Sequence, residues 1–391
     1  MASNGIKDRV AIVGMGCTPF GERWDKSGGD LLVDAAKDAY ASARVDPDAV
    51  DAYWLGTMGS GTSGLMLSEA LKLPYKPVTR LENMCATGSE AIRNAAYAVA
   101  SGAYDLVMAI GVEKLKDSGY SGLVTSRPPD DGTQSSMTAP AMFSLLAPAY
   151  AKKYGVDEGE LKEVISRIAW KNHCNGAKNP KAQFRKEVPM ERIQASPRVA
   201  GMFGIFDCSG VSDGSAAAIL CRAEDAHKYT DSPIFIKALS FAAGPAEGAY
   251  SQDYDFTTFR EVVASATDAY AQAGVKNPRE EISMAEVHDC FTATELVLME
   301  DLGFSQRGQG WKDVLDGRFD GNGPQPVNPD GGLKSFGHPI GASGLRMMYE
   351  MWLQLRGEAG ERQIPDPKLG LTHNLGGAPG RCVSFVSVVG K

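Results

Sequence analysis

A cysteine that stands at a turn and is followed at once by an alanine-rich helical stretch is a candidate nucleophile, and Leu81-Glu-Asn-Met-Cys85-Ala-Thr-Gly-Ser89 has that form. Unpaired backbone N–H groups and the positive end of a helix dipole stabilise a thiolate there. Such settings lower a cysteine pKa from about 8.5 to between about 3.5 and 7.5, so the pattern predicts an activated Cys85. A small buried cysteine at a helix start would look the same on its own. Three further segments carry groups that could work with it. Glu286-Val-His288-Asp-Cys290-Phe-Thr-Ala-Thr-Glu295 ends an apolar run with a polar cluster. Asn328-Pro-Asp-Gly-Gly-Leu-Lys-Ser-Phe-Gly337-His338-Pro-Ile-Gly-Ala-Ser-Gly344 is a glycine-rich loop that delivers one imidazole to a helix start. Thr372-His373-Asn374-Leu-Gly376-Gly377-Ala-Pro-Gly380 reads as a tight loop between apolar strands, with backbone N–H groups free to approach a ligand.

The elements around these groups have to bring them together. Asp8 to Met15 reads as a strand, because Val10-Ala-Ile-Val13 is an unbroken apolar run ending in Gly14. Gly14-Met-Gly16 is no dinucleotide fingerprint, since Pro19 stands where the third glycine is required. Leu31 to Arg44 has helical spacing and contains Asp38-Ala-Tyr-Ala-Ser-Ala-Arg-Val45. That octet returns as Asp268-Ala-Tyr-Ala-Gln-Ala-Gly-Val275, identical at six of eight positions. Each copy precedes a proline (Pro47, Pro278) and then an apolar run, which points to an internal duplication. A second echo matters more for chemistry. Cys85-Ala-Thr-Gly88 has Arg93 at plus eight, and His338-Pro-Ile-Gly341 has Arg346 at plus eight. If the halves are related by a pseudo-twofold axis, Cys85 and His338 occupy matching helix N-termini and face one another. The stretch from Lys114 to Arg198 differs in character, with Arg127-Pro-Pro-Asp-Asp-Gly132, Met137, Met142 and a charged helical run from Glu158 to Lys171. It reads as an insertion over a site.

Composition narrows the class. At 391 residues, two fused halves are expected. Apolar residues at 43% and charged residues at 23% fit a globular chain with a large core. A net charge of -8 argues against a nucleic-acid partner. No basic apolar leader or membrane-length run is present, so a cytoplasmic location is expected. The seven cysteines are widely spaced with no C-x-x-C pair, which suggests neither a disulfide framework nor a metal site. His173 beside Cys174 reads as structural, His227 as solvated, and Cys382 as core.

Taken in order, the four segments resemble the thiolase superfamily over nearly the whole chain. The H-D-C-F and H-N-x-G-G sequences are similar to the sterol-carrier-protein type and the archaeal acetoacetyl-CoA type, as are the strand-like Phe206 to Ile219 and the landmarks between Tyr154 and Phe184. The resemblance implies an α/β thiolase fold: two duplicated βαβαβαββ-type halves in a layered αβαβα sandwich, with residues 1–115 and 196–235 as one half, 116–195 as an inserted loop domain, and 236–391 as the other half. It implies cleavage or formation of a 3-oxoacyl-CoA through an acyl thioester on Cys85, with coenzyme A as second substrate and no covalently bound cofactor or metal. His338 would activate Cys85. An oxyanion hole for the enolate would come from His338 and a water on His288, and a second one from the backbone N–H groups of Cys85 and Gly376. The family's main branch carries an acid/base cysteine where this chain has Asn374, so that duty passes to Cys290; His373 is close enough to join the site. The same resemblance implies a homodimer, and a small OB-fold zinc-ribbon subunit as partner. Met142, Phe143, Met202 and Phe203, with Met137, suggest a roomy pocket for a bulky or aromatic substrate such as benzoylsuccinyl-CoA. The competing readings are a thiolase-like retro-aldolase, which needs no cysteine nucleophile, a ketoacyl synthase-type condensing enzyme, which needs no second acid/base, and a non-enzymatic acyl-CoA or lipid binder.

Overall fold

In the computed structural model, residues 3–118 and 138–391 are described. Met137 and the 127–132 stretch lie outside the described residues. Eleven strands are seen among the described residues: β1 (Val10–Cys17), β2 (Ala52–Gly56), β3 (Val78–Leu81), β4 (Leu106–Lys114), β5 (Arg198–Ala200), β6 (Phe203–Gly204), β7 (Asp213–Arg222), β8 (Ile234–Ala243), β9 (Met284–Glu286), β10 (Leu369–Ala378) and β11 (Arg381–Gly390). β5 and β6 form a small ribbon, and the other nine join in the order β3-β2-β4-β7-β1-β8-β11-β10-β9.

That order is nearly a palindrome about the junction of β1 and β8, which meet through Ala11–Phe235 and Ile12–Ile234. Outward from β1, the pairings to β7, β4 and β2 run antiparallel, antiparallel, parallel. Outward from β8, those to β11, β10 and β9 run the same way. β3 extends one half in parallel. In the other half, the corresponding place holds only a parallel bridge of Val327 to Ala285.

The repeated octets account for part of this symmetry. The first closes the helix Gly28–Ala43 and the second closes Arg260–Ala273; their C-caps, Arg44 and Gly274, are both left-handed, with φ of 56° and 80°. A short turn opened by Pro47 or Pro278 follows each, and then β2 or β9. Helix Gly28–Ala43 lays an apolar stripe on β1, β4 and β7, and helix Arg260–Ala273 covers β8 and β11. Each fully buried side chain such as Leu31 or Leu32 contributes about 1.5–3 kcal/mol by leaving water.

Two helices fill the layer between the half-sheets: Thr87–Ala100 and Ile340–Arg356 pack on one another and on β4 and β7. A helix covered from both sides is buried nearly all round, and Ile340–Arg356 is, down to Arg346, Glu350 and Gln354. Glycine sets how closely the layers meet. A Cβ on Gly111 of β4 would lie 1.9 Å from the Gly341 carbonyl oxygen, and one on Gly344 would lie 2.2 Å from Ser89 Oγ. Any side chain at these places would push the two helix starts apart.

Two local expectations change. Thr372 to Gly380 is not a loop: residues 369–378 pair in register with β11, and the reversal is confined to Pro379 and Gly380, where φ is 78°. His373, Asn374 and Gly376 therefore sit on a strand and alternate between its faces. From Phe206 to Ser212 the chain is not strand, since a single turn covers Ile205–Asp207 and β7 starts only at Asp213.

Candidate active site

Cys85 sits in a sharp reversal ahead of the helix Thr87–Ala100. Met84 is left-handed at φ 51°, Thr87 Oγ1 donates to the Met84 carbonyl at 2.6 Å and accepts from Asn83 N–H at 2.9 Å. No side chain caps this helix, so free N–H groups remain beside the sulfur. His338 stands just before the other central helix, whose N-cap is Pro339, and its own N–H donates to Ser212 Oγ at 3.1 Å. His288 and Cys290 follow β9. The sulfur of Cys85 and one ring nitrogen each of His288 and His338 lie within 4.8 Å of one another. The two imidazoles meet edge-on with centroids 5.3 Å apart. Such a trio could also close on a soft metal ion.

The lowered cysteine pKa expected from the helix start is overturned. Burial pushes the Cys85 thiol up to about 12, and a hydrogen bond from the Gly377 amide only partly opposes this. A half-turn of helix dipole cannot replace lost hydration around a thiolate. Cys85 therefore rests as a thiol and needs a base.

Hydrogen bonding identifies that base. Ser343 Oγ donates its one hydrogen to the Pro339 carbonyl at 2.9 Å and lies 2.7 Å from His338 Nδ1. With its hydrogen committed, the hydroxyl accepts, so Nδ1 carries the imidazole proton. Nε2 is left as a lone pair with no partner among the described residues. Burial, with the Arg346 charge, pushes His338 down to about 3 and keeps it neutral. His288 is driven far down too, by burial and by His338 and His373.

Cys290 is buried and its thiol raised well above the usual range, first by burial and then by the neighbouring Cys85. Its sulfur lies 3.9 Å from Thr294 Oγ1 and takes a hydrogen bond from the Phe291 amide. Asn374 Oδ1 accepts from Ser89 Oγ at 2.6 Å, one turn into the helix that begins after Cys85. His373, on the other face of β10, is fully buried with neither ring nitrogen bonded. Unpaired atoms on His288, His338, His373 and Asn374 mark where a ligand would complete the bonding. Gly376 packs against Asn83, where a Cβ would lie 2.6 Å from the carbonyl oxygen.

Sequence reading missed the groups that hold this site in place. Arg346 bonds Glu286 at 2.6 Å and also pairs with Asp330, all three fully buried. Glu295 takes Lys171 at 2.6 Å, with Asn172 and Asn328 at 2.9 Å. Asp289 accepts from Leu333 N–H at 2.6 Å and Asn172 at 2.8 Å; burial and Glu295 push it up to about 7. These contacts tie the His288 segment to the His338 loop. Arg346 stood out at plus eight from His338, but nothing in the sequence named its partners. Phe143 and Phe203 are core residues that pack on Phe291, which lines a cavity, and Met142 and Met202 pack against the same core. Cys382 is core and His227 is exposed, as read.

Comparison with known proteins adds the following. The family model described as thiolase, N-terminal domain, matches residues 10–200, and that described as thiolase C-terminal domain-like matches 242–387. The chain is similar to the acetyl-CoA acetyltransferase of Methanothermobacter thermautotrophicus, at 38% identity over 95% of this chain and 97% of the relative. It is similar to human sterol carrier protein 2 at 33% identity, over 94% of this chain and 70% of that one. Among solved structures, the Ltp2-ChsH2(DUF35) aldolase matches with a TM-score of 0.84 at 23% identity, covering 98% of each chain. The Acat5 thiolase of Ascaris suum in complex with coenzyme A matches with a TM-score of 0.70 at 19% identity, covering 98% of this chain and all of that one. These two likenesses concern the fold.

Proposed function

The chain belongs to the thiolase family and is an acyltransferase of that type, and on that premise we propose that it cleaves or forms 3-oxoacyl-CoA through an acyl thioester on Cys85. The observation that carries this reading is the trio of Cys85, His288 and His338 with ligand atoms within 4.8 Å, the lone pair of His338 Nε2 being free.

In the thiolysis direction His338 Nε2 takes the Cys85 proton, and the thiolate attacks the 3-oxo carbon. Backbone N–H groups of Cys85 and Gly376 hold the tetrahedral oxyanion. Collapse breaks the bond between the second and third carbons, and its electrons pass to the acetyl-CoA enolate. That oxygen is held by the protonated His338 and a water on His288, while Cys290 gives its proton to carbon. Coenzyme A then returns a proton to Cys290 and attacks the acyl-Cys85. The leaving thiolate recovers its proton from His338. A high thiol pKa suits Cys290 to this task, since it stays protonated until a strongly basic carbanion forms.

A cavity near Cys290, lined by Phe184, Phe206 and Phe291, supports a bulky acyl group or the pantetheine arm. For the chain as a whole we keep the division into 1–115 with 196–235, 116–195 and 236–391; the near-palindromic sheet supports two halves, with β8, from Ile234, opening the second. Homodimer formation is supported by the edge strand β3 and the exposed Leu65, Tyr75 and Met84 around it. A small OB-fold zinc-ribbon subunit is proposed as partner; the name of the similar Ltp2-ChsH2(DUF35) aldolase joins two proteins, which supports a second subunit. The seven cysteines are all free thiols, which fits the reducing cytoplasm. Among the described residues no helix is long and apolar enough to cross a membrane.

The test is thiolysis of acetoacetyl-CoA and of bulkier 3-oxoacyl-CoAs, by the chain alone and with the product of any neighbouring OB-fold gene. Coenzyme A-dependent loss of substrate is expected. Turnover without any adduct on Cys85 would favour the retro-aldolase.

A further inference from the structure

Three lysine or arginine residues are buried among the described residues: Lys171, Lys334 and Arg346. Lys171 and Arg346 have carboxylate partners. Lys334 has none among the described residues, although only 2% of it is exposed. Lys334 lines a cavity of about 570 Å³ with Phe184, Val199, Ile205, Phe206 and Phe291. Among the described residues its ammonium has one hydrogen-bond partner, His173 Nε2, 3.5 Å away, and it sits 6.0 Å from the centre of the Phe206 ring.

No neighbouring group is free to neutralise it. An ammonium only donates, so His173 Nε2 accepts and the ring is neutral; burial, together with Lys334 itself, pushes that imidazole down to about 3. Asp289 is occupied by the N–H groups of Leu333 and Lys334 and by Asn172. Asp207 is taken by Lys162 at 2.7 Å, Thr292 and Gly204. The Cys208 thiol is pushed up to about 11 and stays uncharged, and Glu22 at the rim pairs with Lys116 at 2.7 Å. Burial lowers Lys334 itself to about 8, which leaves it mostly charged at neutral pH. An unpaired buried cation is costly unless something completes it.

We propose that Lys334 is the receptor for an oxyanion of the ligand, and specifically for a carboxylate on the acyl part of the 3-oxoacyl-CoA. The backbone of Lys334 donates to Asp289, and the cavity that Lys334 lines is walled by Phe291, next to Cys290 in sequence, and by Ser209, whose N–H donates to the Cys290 carbonyl at 2.9 Å, so the cavity borders the Cys290 segment. The same chemistry could come from a phosphate of coenzyme A. This inference rests on the acyl-CoA reading above and deepens it to substrates that carry a second acid.

Binding separates the sources without requiring turnover. Titration calorimetry on Cys85→Ala would compare succinyl-CoA with butyryl-CoA, four-carbon acyl groups with and without a carboxylate, and then the corresponding pantetheine thioesters. Succinyl-CoA is expected to bind more tightly, and Lys334→Met to weaken it about 10- to 100-fold more than butyryl-CoA, the loss expected for a charge-assisted hydrogen bond. The pantetheine pair should show the same difference, and Lys334→Arg, which keeps the charge, should retain it. Equal losses for both CoA esters that vanish with the pantetheine esters would assign the site to a phosphate and overturn the acyl carboxylate. No loss in any ligand, in a variant with wild-type melting behaviour, would overturn the receptor itself. Thiolysis of acetoacetyl-CoA by the wild-type chain reports separately on the thiolase reading.

Discussion

Replacing Ser343 by alanine tests how the base is made. The hydroxyl accepts from His338 Nδ1 at 2.7 Å and spends its own hydrogen on the Pro339 carbonyl, so it fixes the tautomer in which Nε2 faces Cys85 as a lone pair. In Ser343→Ala, a buried N–H at Nδ1 would have no partner, which costs about 1–3 kcal/mol. Moving the proton to Nε2, where the bound ligand can accept it, relieves that cost and removes the base. The productive tautomer is thus disfavoured by about 1–3 kcal/mol, a roughly 5- to 150-fold fall in the acylation rate. The assay is the rate of Cys85 acetylation by acetyl-CoA, followed by rapid quench and mass spectrometry, with iodoacetamide alkylation as a substrate-free version. Ser343→Thr, which keeps the hydroxyl, should recover most of the rate. Acetylation of Ser343→Ala within twofold of wild type would show that Ser343 does not set the tautomer and would refute the reasoning.

His288→Ala should lower turnover more than His288→Asn, because an amide can still hold the water of the enolate hole; equal damage by both, at equal Cys85 acetylation rates, would remove His288 from that role. Asp289 gives a pH signature. Its folded value, about 7, lies above its ordinary 3.8, so between those limits the native state holds a proton that the unfolded chain has lost. Its contribution to stability is present at low pH and is lost as pH rises through about 4 to 7. Denaturation at pH 5 and 7.5 should therefore show a larger drop in stability for wild type than for Asp289→Asn, and parallel drops would contradict the assignment.

The parts of the site that were legible in the sequence are those whose chemistry depends on local backbone. Cys85 and His338 each precede a helix by two residues, and the echo between their segments anticipated that the two starts would meet. The repeated octets anticipated the two outer helices and the prolines that end them. What stayed hidden depends on distant partners. The lowered cysteine pKa failed because a helix-start argument carries no information on burial, and desolvation is the larger effect here. Thr372 to Gly380 looked like a loop because of its glycines, yet β11 pairs with it almost to the turn. Of the residues read as shaping a pocket, Phe143 and Phe203 sit in the core behind Phe291, and the sequence did not point to Phe184 and Phe206, which line the cavity with it. Ser343, Arg346 and Lys334 were visible as residue types, but their roles follow from what they touch or fail to touch.

The central claim is a division of labour between two cysteines, and one measurement addresses it directly. Cys290→Ala would be incubated with acetyl-CoA and, separately, with acetoacetyl-CoA and coenzyme A, and the peptide containing Cys85 would be weighed while products are assayed. The account predicts an acetyl group on Cys85 from acetyl-CoA, as in wild type, together with loss of acetoacetyl-CoA cleavage. Continued cleavage by Cys290→Ala, or an active wild-type chain whose Cys85 never carries an acyl group, would contradict it.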